Sequence, residues 1–110
     1  MSQRTEKVES LVRQTVAMAL LEQLGQAATK VGVSAVDVSP DLKHATVWLD
    51  VAETNQTKRE AIIKAAQEAR PKLQAAIAHV MTTKYVPKLE LKLDTGADYA
   101  DHINGIIREL

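Results

Sequence analysis

Cysteine and phenylalanine are absent from the 110-residue chain, and one Trp and two Tyr are its only aromatic residues. Without thiols there is no disulfide, no thiolate metal site and no cysteine nucleophile. So few aromatic rings argue against a sheet that stacks several bases. Gly25, Gly32, Gly96 and Gly105 are too dispersed for a phosphate-cradling loop. No apolar run approaches the roughly 20 residues of a membrane helix. Met1 to Lys7 lack the apolar stretch of a signal peptide. These absences predict a soluble cytoplasmic protein with no membrane partner. A net charge is also missing: 14 Lys+Arg balance 14 Asp+Glu. As a sum, that argues against a nucleic-acid partner, which usually selects a basic surface.

What is present describes a globular chain. Hydrophobic residues make up 45% and charged residues 25%, a composition that folds rather than staying disordered. The length predicts one domain over residues 1–110. A chain of this size buries roughly two-thirds of its unfolded surface, enough for one core without staples.

Periodicity supplies the elements. Val8, Leu11, Val12, Val16, Ala19, Leu20 and Leu24 recur at helical spacing, and Gly25 stops the pattern. A long helix is predicted over 4–24, followed by a polar connection from Gln26 to Lys30. Val31 to Val38 reads as a strand whose alternation slips phase, which a bulge near Ser34-Ala35 explains. Ser39-Pro40-Asp41-Leu42 reads as a turn. Ala45, Val47, Leu49 and Val51 then predict a half-buried strand antiparallel to the first. Thr57 and Glu60 have the spacing of a capping box, predicting a helix start there with Ile62, Ile63 and Ala66 inward. Pro71 divides the helical region into two helices meeting at Ala69-Arg70-Pro71, with Pro71 in the first turn of the second. Leu73, Ala76, Ile77, Val80 and Met81 form the second helix's inner face. After Val86-Pro87, Leu89, Leu91 and Leu93 alternate with charged residues as a third strand. Tyr99, Ile103, Ile106, Ile107 and Leu110 suggest a short C-terminal helix. The class is α+β.

Few motifs carry chemistry. Asp94-Thr95-Gly96 after an apolar strand resembles the aspartic protease signature, in which two subunits each donate one carboxylate. Only 14 residues follow Gly96, too few for the flap and remaining strands of a retropepsin, and the helical first half does not suit that all-β fold. A strand-exit turn is the plainer reading. Asp94, Asp98, Asp101 and His102 lack the spacing of an oxygen-rich metal site, and a solvated acidic face accounts for them. His44, His79 and His102 form no ligating or triad pattern. No cofactor, metal or catalytic residue is predicted. Trp48 lies on the outer side of its strand, where it either stacks a base or, the favoured reading, packs against a neighbouring element such as the C-terminal helix.

Resolved along the chain, the zero charge separates. Residues 1–57 hold 5 basic and 7 acidic side chains, 58–92 hold 8 and 3, and 93–110 hold 1 and 4. The helix–Pro–helix–strand block is therefore net +5. Beyond a Debye length of roughly 8 Å the acidic ends are largely screened, so such a block can attract phosphates locally.

Val36-Asp37-Val38-Ser39-Pro40-Asp41-Leu42-Lys43-His44-Ala45-Thr46-Val47-Trp48-Leu49 resembles the first hairpin of the ribosome-binding factor A family, V-x-V-S-x-D-L-x-x-A-x-V-aromatic-apolar. Arg4-x-x-Lys7-Val8, Tyr85-Val86-Pro87-Lys88-Leu89 and Ile103-Asn104-Gly105-Ile106-Ile107 resemble its first helix, its entry to the last strand and its closing segment. The resemblance spans essentially the whole chain. It implies a KH-like fold of type II topology with a short C-terminal helix. It also implies a non-enzymatic factor, monomeric when free, that binds the immature small ribosomal subunit and assists maturation of its rRNA, including the 5′ region. KH domains clamp nucleic acid at a turn between two helices. Counting back from Val86-Pro87 puts that turn at Ala69, Arg70 and Pro71, where the family has Ala-x-Gly and Pro71 departs. The candidate RNA-binding residues are Arg4, Lys7, Lys43, His44, Arg70, Lys72, Lys84 and Lys88. Gln74, His79 and Thr82 stand where the family often has Arg or Lys. The alternative is a KH-like module that binds protein rather than RNA.

Overall fold

A computed structural model of the protein describes residues 3–82 and 86–94, with side chains from Thr5 onward. Helix α1 spans Gln3–Leu24. Its Val8, Val12, Val16, Ala19 and Leu20 are buried at spacings of three and four, the stripe expected of an amphipathic helix. Leu11 falls off that stripe and is half-buried. Gly25 ends α1 with φ 58°, a left-handed conformation that glycine adopts without a Cβ penalty. The segment Gly25–Lys30, expected as plain connection, winds into a 3-10 helix in which the Thr29 hydroxyl donates to the Gln26 carbonyl at 2.8 Å.

Strands β1 (Val31–Val38), β2 (His44–Val51) and β3 (Lys88–Leu93) form one sheet in that order. β1 and β2 are antiparallel, and the register slips between Val33 and Ala35. Ser34 is thus the extra residue of a bulge. The slip explains the broken alternation, because Val31, Val33, Val36 and Val38 all reach the same core. Two α1 side chains meet the β1 backbone: Arg13 donates to the Val33 carbonyl at 3.0 Å, and the Glu9 carboxylate accepts from the Val38 N–H at 3.4 Å.

β3 lies parallel to β2, reached through helices α2 (Gln56–Glu68) and α3 (Arg70–Val80). The expected start of α2 needs correction. Its N-cap is Asn55, whose Oδ1 accepts from the Lys58 N–H at 3.0 Å, and Glu60 accepts from the Gln56 amide at 2.9 Å instead of closing a box on Thr57. Pro71 stands in the first turn of α3 as expected. One residue, Ala69, separates the two helices and is buried. Its carbonyl accepts from the N–H groups of Lys72 and Leu73 at 2.9 and 3.0 Å. Val80 is 39% exposed rather than inward, since the buried seam of α3 ends at Ile77. The core joins α1, Leu73 and Ile77 of α3, Ala66 of α2, and Ala45, Val47, Leu49 and Leu89 of the sheet.

This helix–strand–strand–helix–helix–strand arrangement is mixed α+β, and three helices of this length exclude the retropepsin reading of Asp94. The expected C-terminal helix, with Thr95, Gly96, Asp98, Asp101 and His102, lies outside the described residues. Among the described residues no helix is long and apolar enough to cross a membrane. No group of three His, Asp or Glu among them could hold a metal ion.

Candidate nucleic-acid interface

The turn between β1 and β2 sets where the first cations stand. Leu42 N–H donates to the Ser39 carbonyl at 2.8 Å, closing the turn that Pro40 predicts. The Ser39 hydroxyl donates to Asp41 Oδ1 at 2.6 Å and accepts from the His44 N–H at 3.0 Å, while Lys43 N–H donates to the same Asp41 oxygen at 3.0 Å. The Ser39 hydroxyl is the main reason the Asp41 carboxyl titrates below its ordinary 3.8, helped by the Lys43 N–H. Its folded pKa lies below the unfolded one. The turn's contribution to stability is therefore present above about pH 4 and is lost as pH falls through the folded value.

β2 begins at His44, and the parallel register sets His44 opposite Lys88. Lys88 N–H donates to the Lys43 carbonyl at 2.8 Å, tying the start of β3 to the hairpin. The α2–α3 junction brings Arg70 to the same place. His44, Gln67, Arg70 and Lys88, with Leu89, Glu90 and Leu91, line one groove of about 650 Å³. His44 and Lys88 are exposed and Arg70 is half-buried. Three cationic or protonatable side chains from three elements line this groove with one carboxylate, Glu90, which shares β3 with Lys88. Such a site suits an extended anion better than a small apolar ligand.

The remaining candidates fall elsewhere. Lys43 is exposed beside His44 on the hairpin. Lys72 is exposed on α3, one turn from the junction. Lys7 lines a separate groove on α1 with Glu6, Ser10, Leu11 and Gln14. Arg4 belongs to the first turn of α1, and its side chain is outside the description. Lys84 lies outside the described residues. Pro71 is exposed and, having no N–H, offers no backbone donor at the turn.

Trp48 is 4% exposed, and the Lys92 ammonium lies 5.6 Å from its ring centroid. The packed reading of Trp48 holds, and its burial removes it as a base-stacking platform. Sequence reasoning did not place Gln67 or Glu90 at the site, and it named Gln74 only as a position where the family often has a cation. Gln74 donates from Nε2 to the Pro87 carbonyl at 2.8 Å and accepts at Oε1 from the Leu89 N–H at 2.7 Å. Its spacing of four from Arg70, which puts both on one face of α3, was the available signal.

Comparison with known proteins agrees with the fold. Residues 4–107 match the family model of ribosome-binding factor A. A ribosome-binding factor A from Coxiella burnetii (strain CbuG_Q212) is 35% identical over 108 residues, covering 97% of this chain and 89% of the relative. One from Rhodopirellula baltica is 30% identical over 110 residues, covering 99% and 80%. The crystal structure of ribosome-binding factor A from Thermus thermophilus superposes with a TM-score of 0.66 at 20% identity, covering 81% of this chain and 93% of that one. A homology model of the Thermus thermophilus factor, fitted into a cryo-EM map of its complex with 30S, superposes with a TM-score of 0.58 at 20% identity, covering 78% and 90%. The fold is KH-like, as those neighbours have it.

Proposed function

The chain belongs to the ribosome-binding factor A family, and from that premise we propose that it is a ribosome assembly factor acting in the cytoplasm. It binds the immature small ribosomal subunit and assists maturation of its rRNA, including the 5′ region. It does so as one KH-like domain over residues 1–110, monomeric when free, without catalysis or a cofactor. The observation that carries this reading is the groove at the α2–α3 junction, where Arg70, Lys88 and His44 meet.

The chemistry is backbone binding. Arg70 and Lys88 supply fixed positive charge, to which Lys72 and Lys84 of the same sequence block and Lys43 of the hairpin add theirs. Arg4 and Lys7 add contacts from α1. The guanidinium of Arg70 can give two parallel N–H donors to one phosphate, whereas lysine acts as a point charge. No side chain in the groove reads a base edge in this account. Recognition then follows the shape and phosphate spacing of folded rRNA, held in one arrangement until release. Because Pro71 removes a turn amide, side chains carry the phosphate contacts that a glycine turn would share with the backbone. That same exposed Pro71 favours the second reading, a KH-like module that binds protein.

Sedimentation with small-subunit precursors tests the proposal. The protein is expected in the small-subunit fractions at low salt and progressively less so as salt rises, as counterion release requires. A protein that stays out of those fractions at both low and moderate salt contradicts the ribosomal role. Tight, salt-insensitive capture of a protein partner without RNA supports the second reading.

A further inference from the structure

Gln74 acts on the strand that carries Lys88, not on the groove directly. On the β2 side, Lys88 is held by its own N–H on the Lys43 carbonyl at 2.8 Å. On the opposite edge of β3, the Gln74 amide takes the two groups that flank it. Nε2 donates to the Pro87 carbonyl at 2.8 Å, and Oε1 accepts from the Leu89 N–H at 2.7 Å. One donor and one acceptor, two residues apart along a strand edge, is the pairing a neighbouring strand would offer. The side-chain amide substitutes for that strand. Lys88 is thereby gripped from both edges, next to the buried Pro87.

The other end of the clamp is α3. Gln74 follows Arg70 by four residues, so the two share a face of the helix. The face that presents Arg70 to the groove is the face bonded to β3. We propose that Gln74 is a positioning residue that fixes Lys88 across the groove from Arg70, so that both cations grip one phosphate backbone. The identity of the residue follows from its two bonds. Lysine and arginine have donors only and would leave the Leu89 N–H without its acceptor. Asparagine keeps the amide but is one methylene shorter. A glutamine where the family often carries a cation therefore exchanges one direct charge for the placement of another.

This inference rests on the phosphate-binding reading of the groove, and its test separates the two. Binding to purified small-subunit precursors is measured across a salt series for the wild type, Lys88→Ala, Gln74→Met and the double variant. Gln74→Met keeps the volume and charge of the side chain and loses both bonds. Each phosphate contact contributes roughly 0.7–0.9 to the slope of log K against log salt. Lys88→Ala is expected to lower the slope by about that amount. Gln74→Met is expected to lower it equally, and adding Lys88→Ala to it is expected to lower it no further. Gln74→Asn is run beside Gln74→Met in case the latter misfolds, with the same loss expected, and thermal melts identify folded variants.

A Gln74 variant that melts earlier but keeps the wild-type slope overturns the inference, because the clamp is then structural only. Slope losses that add in the double variant overturn it as well. If Lys88→Ala itself leaves the slope unchanged, the phosphate-binding reading of the groove fails and takes the inference with it.

Discussion

Among the described residues, two adopt left-handed backbone, and they do so for opposite reasons. Gly25 has φ 58° and an added Cβ would meet nothing within 4 Å. Only the backbone term opposes a side chain there, about 1–2 kcal/mol. Gly32 has the same open space on ordinary strand backbone. Urea unfolding is expected to show Gly25→Ala losing about 1 kcal/mol and Gly32→Ala changing stability by less than about 0.5 kcal/mol. Equal effects would contradict this account of Gly25. Leu42 has φ 62° yet is only 9% exposed. Burying a leucine is worth roughly 1.5–3 kcal/mol, enough to hold it in a conformation that costs about 1–2. Gly25 was legible in the sequence as the glycine that ends a helical stripe. Leu42 was not, because its φ is set by the Ser39-to-Leu42 turn and by the core beneath it.

Among the elements, periodicity was a sound guide and cap chemistry was not. The stripe of α1, the alternation of β2 and β3, the bulge at Ser34 and the helix break at Pro71 all follow from apolar spacing and from the missing proline N–H. These features are local, so a sequence can express them. The 3-10 turn at Gly25–Lys30 has no apolar period to announce it. At the start of α2, spacing alone pointed to Thr57 with Glu60. Asn55 takes the role because its side chain reaches the Lys58 N–H, while Glu60 is engaged by Gln56. Asn55→Ala is expected to cost about 1 kcal/mol, the usual value of an N-cap. Thr57→Ala is expected to stay within about 0.5 kcal/mol. Chemical denaturation of both variants checks the assignment, and the reverse order of effects would restore the capping box.

Across the whole molecule, a chain with no net charge is proposed to bind a polyanion because its charge is arranged in blocks. The +5 block covers residues 58–92, and the fold gathers Arg70 and Lys88 from it beside His44 of the hairpin. That gathering was only partly legible. The basic block could be read from the sequence, and the resemblance to ribosome-binding factor A pointed to the α2–α3 junction. Which cations converge depends on the parallel register that sets His44 opposite Lys88, and on the single-residue junction that turns Arg70 toward them. Both are tertiary facts with no local signature. The same geometry separates Lys7, in its own groove on α1, from that cluster. The most direct test is a salt titration of binding to purified small-subunit precursors, comparing the wild type with Arg70→Ala/Lys88→Ala. At roughly 0.7–0.9 per phosphate contact, the double variant is predicted to bind more weakly at every salt concentration, with a slope of log K against log salt shallower by about 1.4–1.8. An unchanged affinity and slope would contradict the account.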